Sequence, residues 1–408
     1  MTPSPEGAAA GAAPSSDRAA GETPPPGCSG GTVSSAFEPV RQQFESFLRA
    51  DPSYSAQLVV HVGDEVVVDL WGGTVLGPTS ITGVYSVSKG IAALVVAMLI
   101  QEGALALDEP VARWWPEFGA HDKQAITVRQ LLTHQAGLIN TTPALTPEQF
   151  LDPQVAAQRL ADTVPVWRPG AAFGYHALTI GPLVEELVRR ATDDSLQHLW
   201  EQRIRKPNEV DFFLGLPATE DHRYVPLRSS TDLAETAPPD SEGLPEHALG
   251  LSEPFSPNLR RVRAGGSASI GAVGSARGLA QAYASAITSA KPFLEPSTLD
   301  VMTQLQVDGH DLVLDQHMRF GVLFMKPRPE SRWGGWRAVG HDGAAGALGF
   351  ADPQYRIAFG YIPNPAPARG GADERAVELS ATVRKCARAQ SADDLGKRAV
   401  QRRTSRAR

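Results

Sequence analysis

Between Ser86 and Gln101 the chain reads Ser-Val-Ser-Lys-Gly-Ile-Ala-Ala-Leu-Val-Val-Ala-Met-Leu-Ile-Gln. A helix over this stretch is apolar on nearly all sides, so it has no face to offer water and must lie inside a domain. The apolar part, Ile91 to Ile100, is about half of the roughly 20 residues that cross a bilayer, and Gln101 and Glu102 close it. The fold is therefore built around this helix. Its N-terminus, with Ser86 and Lys89, is inside the protein too.

The surrounding pattern predicts an α+β fold. Phe37, Val40, Phe44, Phe47 and Leu48 recur at helical spacing and mark a first helix. Gln57 to Val62 and Val66 to Trp71, joined by Gly63-Asp64-Glu65, form the pattern of an antiparallel hairpin. Val128, Leu131 and Leu132 lie on a short amphipathic helix, after which a loop-rich, Pro- and charge-containing stretch predicts a helical insertion over about 136–264. Gly265, Gly266, Gly271 and Gly274 lack the lysine and spacing of a phosphate-cradling loop and predict a turn into the helix that follows. Strand-like runs return at Arg319 to Phe324, Ala347 to Phe350 and Arg356 to Ile362, before a last helix around Glu374 to Ala387. The sheet is thus assembled from about 36–135 and 265–385.

Residues 1–35, rich in Ala, Gly, Pro and Ser, predict a flexible tail, as does the basic stretch 386–408 with Lys397, Arg398, Arg402, Arg403, Arg406 and Arg408. The first residues have neither the basic nor the continuous apolar region of a secretory signal, and Cys28 and Cys386 are the only cysteines, so a reducing, cytoplasmic setting is expected. A net charge of -7 gives no positive field for a phosphate backbone, and nucleic acid is not expected as a partner. Nothing in the pattern specifies an oligomeric state.

Ser86 and Lys89 are spaced i, i+3 and share a helix face. A serine hydroxyl needs an adjacent base to become a nucleophile, and a lysine serves as one when burial lowers its pKa. The apolar helix behind it provides that setting, and the amides at its start favour the charge developing on an attacked carbonyl. Alone, S-x-x-K is a weak signal. Two further segments strengthen it. Trp167-Arg168-Pro169-Gly170 leads to Phe173-Gly174-Tyr175-His176-Ala177, placing Tyr175 on a loop after a rigid turn, with His176 beside it to orient that loop. Gly340-His341-Asp342-Gly343-Ala344 leads into strand, and its glycines allow close approach of a strand edge to a substrate. Trp333 and Trp336 precede this segment, and Trp336 is the better candidate for an apolar pocket wall.

These three segments resemble the S-x-x-K, Y-x-N and K-T-G elements of the class C β-lactamase and D-amino-acid peptidase superfamily, and, with Asp69-Leu70-Trp71-Gly72-Gly73 and Ile126-Thr127-Val128-Arg129-Gln130-Leu131-Leu132-Thr133-His134, the chain is most nearly similar to the family VIII carboxylesterases. The resemblance covers about 36–385. It implies an antiparallel sheet flanked by helices, with an all-helical domain across the active-site cleft. It also implies an acyl-enzyme on Ser86, Lys89 and Tyr175 as general base and acid, and an oxyanion hole from the backbone N–H of Ser86 and Ala344; His341, Gly343, Trp336 and His176 are the candidate substrate-binding residues. Such chemistry needs no cofactor or metal; His61, His310 and His317 are scattered, and no metal-ligand spacing occurs.

Two departures bear on substrate. Ala177 stands where penicillin-recognising enzymes have asparagine, and His341 where they have lysine. A mostly neutral imidazole is a weaker partner for a carboxylate. Both changes favour a compact neutral ester as the small-molecule substrate. An acyltransferase using the same acyl-enzyme, a β-lactamase or D-amino-acid peptidase, and a silent scaffold are the rival readings. The Gly27-Cys28-Ser29-Gly30-Gly31 match to a nucleophile elbow lacks the strand-turn-helix context that would make Ser29 reactive. His134 is expected to pack or cap at the end of its helix.

Overall fold

A strand that is apolar on both faces needs cover on both, and the sheet meets that need with helices above and below it. The computed structural model describes residues 24–228, 244, 253–367 and 370–406, with side chains as far as 392. Its main sheet holds β1 (Ser29–Val33), β2 (Ser55–Val62), β3 (Glu65–Gly72), β9 (Val339–Asp342), β10 (Leu348–Asp352) and β11 (Ile357–Asn364). Their order is β1-β3-β2-β11-β10-β9, antiparallel throughout.

Successive residues of these strands go to opposite layers. On one face Leu58, Val60, Leu70, Leu348, Phe350, Phe359 and Tyr361 pack with Phe44 and Leu48 of α1 (Glu38–Ala50) and Leu379 and Val383 of the last helix, α11 (Glu374–Arg406). On the other face β10 and β11 carry the small residues Gly349, Ala351, Ala358 and Gly360. A Cβ on Gly349 would lie 2.6 Å from Leu279, and one on Gly360 2.3 Å from the Ala276 carbonyl, so helix α9 (Ala276–Tyr283) seats directly on the sheet. Beside it runs α2 (Val87–Gln101), buried from Val87 through Leu99 as its composition demands.

Helices α3 (Val128–Leu132), α4 (Pro147–Leu151), α5 (Pro153–Ala161), α6 (Ile180–Thr192), α7 (Leu196–Leu199) and α8 (Arg260–Gly265) lie between α2 and the return to the sheet. This stretch is not purely helical. It contributes β5 (Phe212–Leu214), which with β4 (Thr82–Gly83) flanks β6 (Ala272–Gly274) in a small second sheet. After α10 (Pro296–Thr303), strands β7 (Val307–Asp311) and β8 (Gln316–Phe320) form a two-stranded ribbon. The run from Arg319 to Phe324 thus ends its strand at Phe320 and turns, with Leu323 at φ 61.

Both expected tails are shorter than composition suggested. Strand β1 pairs with β3 from Ser29↔Gly72 to Val33↔Val68 inside the stretch read as a tail to residue 35. Glycine makes this possible: a Cβ on Gly30 would strike the Trp71 ring at 2.5 Å, and Gly31 sits at φ +96 against the Asp69 carbonyl. At the other end α11 passes straight through residue 386. Ala376, Leu379, Val383, Cys386 and Ala387 keep helical spacing against the sheet, and a nucleated helix extends at little cost through Ala, Arg, Gln and Lys. Residues 1–23 and 407–408 lie outside the described residues. No helix among the described residues is long and apolar enough to cross a membrane.

Candidate active site

Helix α2 opens on a strained turn. Tyr85, with φ 47, occupies the left-handed region that costs a bulky side chain energy, and the next residue, Ser86, is the N-cap. Ser88 locks the turn: its hydroxyl donates to the Tyr85 carbonyl at 2.5 Å and accepts from the Ala272 N–H at 2.9 Å. One turn on, Lys89 is completely buried, its Nζ 2.9 Å from Ser86 Oγ and donating to the Ser269 carbonyl, also at 2.9 Å. Burial pushes the amine well below its ordinary value, opposed by the charge of Asp342. Ser269 lies in the glycine-rich turn after α8, which Glu185 of α6 anchors by accepting the Ala268 N–H at 2.6 Å.

Strand β9 comes close to this helix start because two positions lack side chains. A Cβ on Gly90 would lie 2.3 Å from the Tyr283 hydroxyl and 3.2 Å from His341 Cβ; one on Gly343 would lie 2.1 Å from the Val84 carbonyl. The loop after β9 therefore abuts the loop before Ser86. In it Gly343 N–H donates to the Ala347 carbonyl and Gly346 N–H to that of Gly343. The N–H groups of Ala344 and Ser86 have no acceptor among the described residues.

Tyr175 closes the site from the loop before α6. Lys89 Nζ is 5.0 Å from the centre of its ring. The hydroxyl is buried without a well-formed hydrogen bond, although it lies near enough to Ser86 to feel it. Burial raises the phenol above its ordinary value, against the opposing pull of Ser86, so it stays protonated. Beneath it the loop is fastened by neighbours. His176 Nδ1 donates to the Gly174 carbonyl at 2.7 Å, its Nε2 accepts the Leu138 N–H at 2.9 Å, and its own backbone N–H donates to His134 Nδ1 at 3.2 Å. A carbonyl only accepts, so this fixes the His176 tautomer. Burial lowers His176 to about 4 and His134 well below its ordinary value, so both are neutral packing groups. His134, at φ 61 after α3, meets the Tyr175 ring edge-on at 5.0 Å.

His341 faces α2 from β9, its ring 6.1 Å from that of Tyr175. Burial, with Lys89 adding to it, drives its pKa down to about 3. Nδ1 donates to the Asp342 carbonyl at 2.6 Å, so Nε2, buried and unpartnered, is a bare acceptor. Asp342, the next residue, points to the opposite face of the strand. Burial raises its pKa, against the Arg328 charge and the Ala372 N–H.

Ser86, Lys89, Tyr175, His341, Gly343 and Ala344 are thus brought together, with His176 supporting the tyrosine loop. Trp336 is not among them. It is 78% exposed, carried outward on a Gly334-Gly335 turn, and borders a surface cleft of about 420 Å³ with Asp300, Leu305 and Lys326. Trp333 is buried against Phe350 on the α1 side of the sheet. The apolar side chains beside the tyrosine loop are instead Trp167 and Val313, both within 3 Å of where a Gly174 Cβ would stand. Trp167 is legible in the sequence only as part of the turn before Tyr175, and Val313 has no local signal. Ser269 and Asp311, which hold Lys89 and Tyr175, were missed as well: the first sat in a stretch read as a turn, and the second is brought in only by the tertiary fold. A surface cleft of about 790 Å³ lined by Glu117, Arg159 and Arg190 contains none of these groups, so concavity is a poor guide to the chemistry here. Among the described residues no cluster suited to a metal ion occurs.

A buried S-x-x-K pair, a facing tyrosine and a strand edge against the helix start form a recognisable set, and the family described as Beta-lactamase matches residues 40–382. The chain belongs to the beta-lactamase family of serine hydrolases. Among solved structures of this fold, EstA from Arthrobacter nitroguajacolicus Rue61a is 42% identical, with a TM-score of 0.83 over 88% of this chain and 98% of that one. A family VIII carboxylesterase is 30% identical, with a TM-score of 0.76 over 88% and 99%. The Mycobacterium tuberculosis protein named Esterase/beta-lactamase LipL is 29% identical over 82% of each chain. Within the beta-lactamase family, a fully buried lysine beside the serine and an uncharged histidine on the facing strand characterise the site of this chain.

Proposed function

We propose that this chain is a serine esterase for compact neutral carboxylic esters. The observation that carries the reading is that Lys89, fully buried with Nζ 2.9 Å from Ser86 Oγ, and His341, on the facing strand with Nε2 buried and unpartnered, lie where burial holds both toward their uncharged forms. An uncharged Lys89 takes the Ser86 proton as Oγ bonds to the ester carbonyl carbon. The free N–H groups of Ser86 and Ala344 hold the oxyanion. Tyr175, still protonated, gives its proton to the alcohol oxygen as the C–O bond breaks, and Lys89 restores it. Water then attacks the acyl-Ser86 by the same steps in reverse. An anionic β-lactam would find no cation at His341 and no side-chain amide at Ala177, whereas a neutral ester needs neither. The carboxylesterase name of one solved relative points the same way, while that of LipL carries both activities. The free thiols of Cys28 and Cys386 fit a reducing compartment, and the cytoplasm is the setting we assign.

Wild type and Ser86→Ala assayed on p-nitrophenyl acetate, butyrate and octanoate, with nitrocefin alongside, test the reading. Ester turnover that vanishes in Ser86→Ala, with little nitrocefin hydrolysis, is expected. Turnover that survives the substitution, or a folded wild type inactive on every ester, overturns it.

A further inference from the structure

Tyr175 has to hold its hydroxyl over Ser86 from a loop, and the support for that loop comes from a distant part of the chain. Asp311, the last residue of β7, is completely buried. Its Oδ1 accepts three backbone N–H groups: Val313 at 2.9 Å, Leu314 at 2.9 Å and Tyr175 at 3.0 Å. The first two close the turn of the ribbon itself, a local role that aspartate often fills. The third reaches across 136 positions to the tyrosine and is not needed by the turn. Around it the Leu312 N–H donates to the Phe173 carbonyl at 3.1 Å, and the Tyr175 ring stacks on Phe320 of β8 with an interplanar angle of 8° and centroids 6.0 Å apart. Backbone and ring of Tyr175 are therefore both held by one small ribbon outside the six-stranded sheet. Asp311 Oδ2 is buried with no partner, an arrangement that costs stability and that turn formation alone does not call for.

From this geometry we infer that Asp311 is a positioning residue for Tyr175, setting the height of the phenol over Ser86 through the tyrosine's backbone N–H. The inference rests on the esterase reading, in which Tyr175 is the proton donor. It predicts an effect on the chemical step and not on substrate binding. A displacement of about 1 Å at a reacting group costs about 10²-fold in rate.

Two substitutions separate this role from turn formation. Asp311→Asn keeps Oδ1 as an acceptor for all three N–H groups. Asp311→Ser keeps a short acceptor for the ribbon's own turn but does not reach Tyr175. On p-nitrophenyl butyrate, Asp311→Asn is expected to retain kcat within about threefold, whereas Asp311→Ser loses about 10²-fold in kcat with KM little changed. Thermal unfolding of both variants reports whether the fold is kept. If Asp311→Ser unfolds, Asp311→Asn still decides, since a loss of kcat there with the acceptor in place contradicts the inference. Equal kcat in the serine variant and wild type, or a loss confined to KM, overturns it too. Failure of the esterase reading is recognised separately, as turnover by wild type that is absent or independent of Ser86.

Discussion

Gly343→Ala tests how tightly the oxyanion site is specified. The new Cβ would stand 2.1 Å from the Val84 carbonyl oxygen, about 1.3 Å short of the 3.4 Å at which ordinary contact begins. Val84 cannot simply retreat, because its carbonyl accepts the Val87 N–H at the first turn of α2 and is followed by Tyr85 in its strained conformation. The loop after β9 must move instead, taking the Ala344 N–H away from that of Ser86. Loss of one oxyanion donor costs about 10²–10³-fold in kcat, or about 2.7–4 kcal/mol. The assay is kcat on p-nitrophenyl butyrate, with thermal unfolding and labelling of Ser86 by a fluorophosphonate run in parallel. A folded variant is expected to lose at least about 10²-fold in kcat. A variant with wild-type kcat and wild-type melting would show that the contact between these two loops does not set the site, and the reasoning would be wrong.

Two further outcomes are expected. His341→Lys replaces a bare acceptor with a cation, and the ratio of nitrocefin to p-nitrophenyl butyrate kcat/KM should rise by more than about tenfold, equivalent to about 1.4 kcal/mol of discrimination; an unchanged ratio refutes the specificity argument. Lys89 works as a base only when uncharged, so kcat/KM should be lost as pH falls through its pKa and reach its plateau well below the ordinary lysine value of 10.5. His341 is neutral above about 3, so His341→Gln should leave that acid limb where it is, and a pH profile of both enzymes checks it.

How much of this was legible in the sequence depended on whether the cause was local. The all-apolar run after Lys89 could only be a buried helix, and the β2 and β3 runs could hardly be anything but a hairpin, so both were readable from a few neighbouring residues. Strand β1 was not, because its pairing is carried by backbone groups and its glycines look like loop residues until Trp71 and Asp69 are seen pressing on them. Trp336 misled for the opposite reason: an aromatic near a motif says nothing of which way a glycine turn carries it. Within the site, Ser86 and Lys89 were joined by helix spacing, and Tyr175 by the pattern of its loop. Asp311 and Ser269 act through an oxygen each, on partners more than a hundred residues away, and no periodicity records that.

The interleaved sheet has a consequence for how the protein is made. The hairpin of β2 and β3 is completed only when β11 arrives beside β2, Tyr361 standing opposite Leu58 and its hydroxyl meeting that of Tyr54 across 307 positions. Ser86 and Lys89 are synthesised long before the Ala344 N–H and the strand that cover them. Part of the cover of the central apolar helix, from β9 and β10, is therefore made well after the helix itself. Such long-range closure is slow and leaves apolar surface open to aggregation in the meantime. A chain interrupted before β9 would hold Ser86 and Lys89 without the Ala344 N–H that faces them.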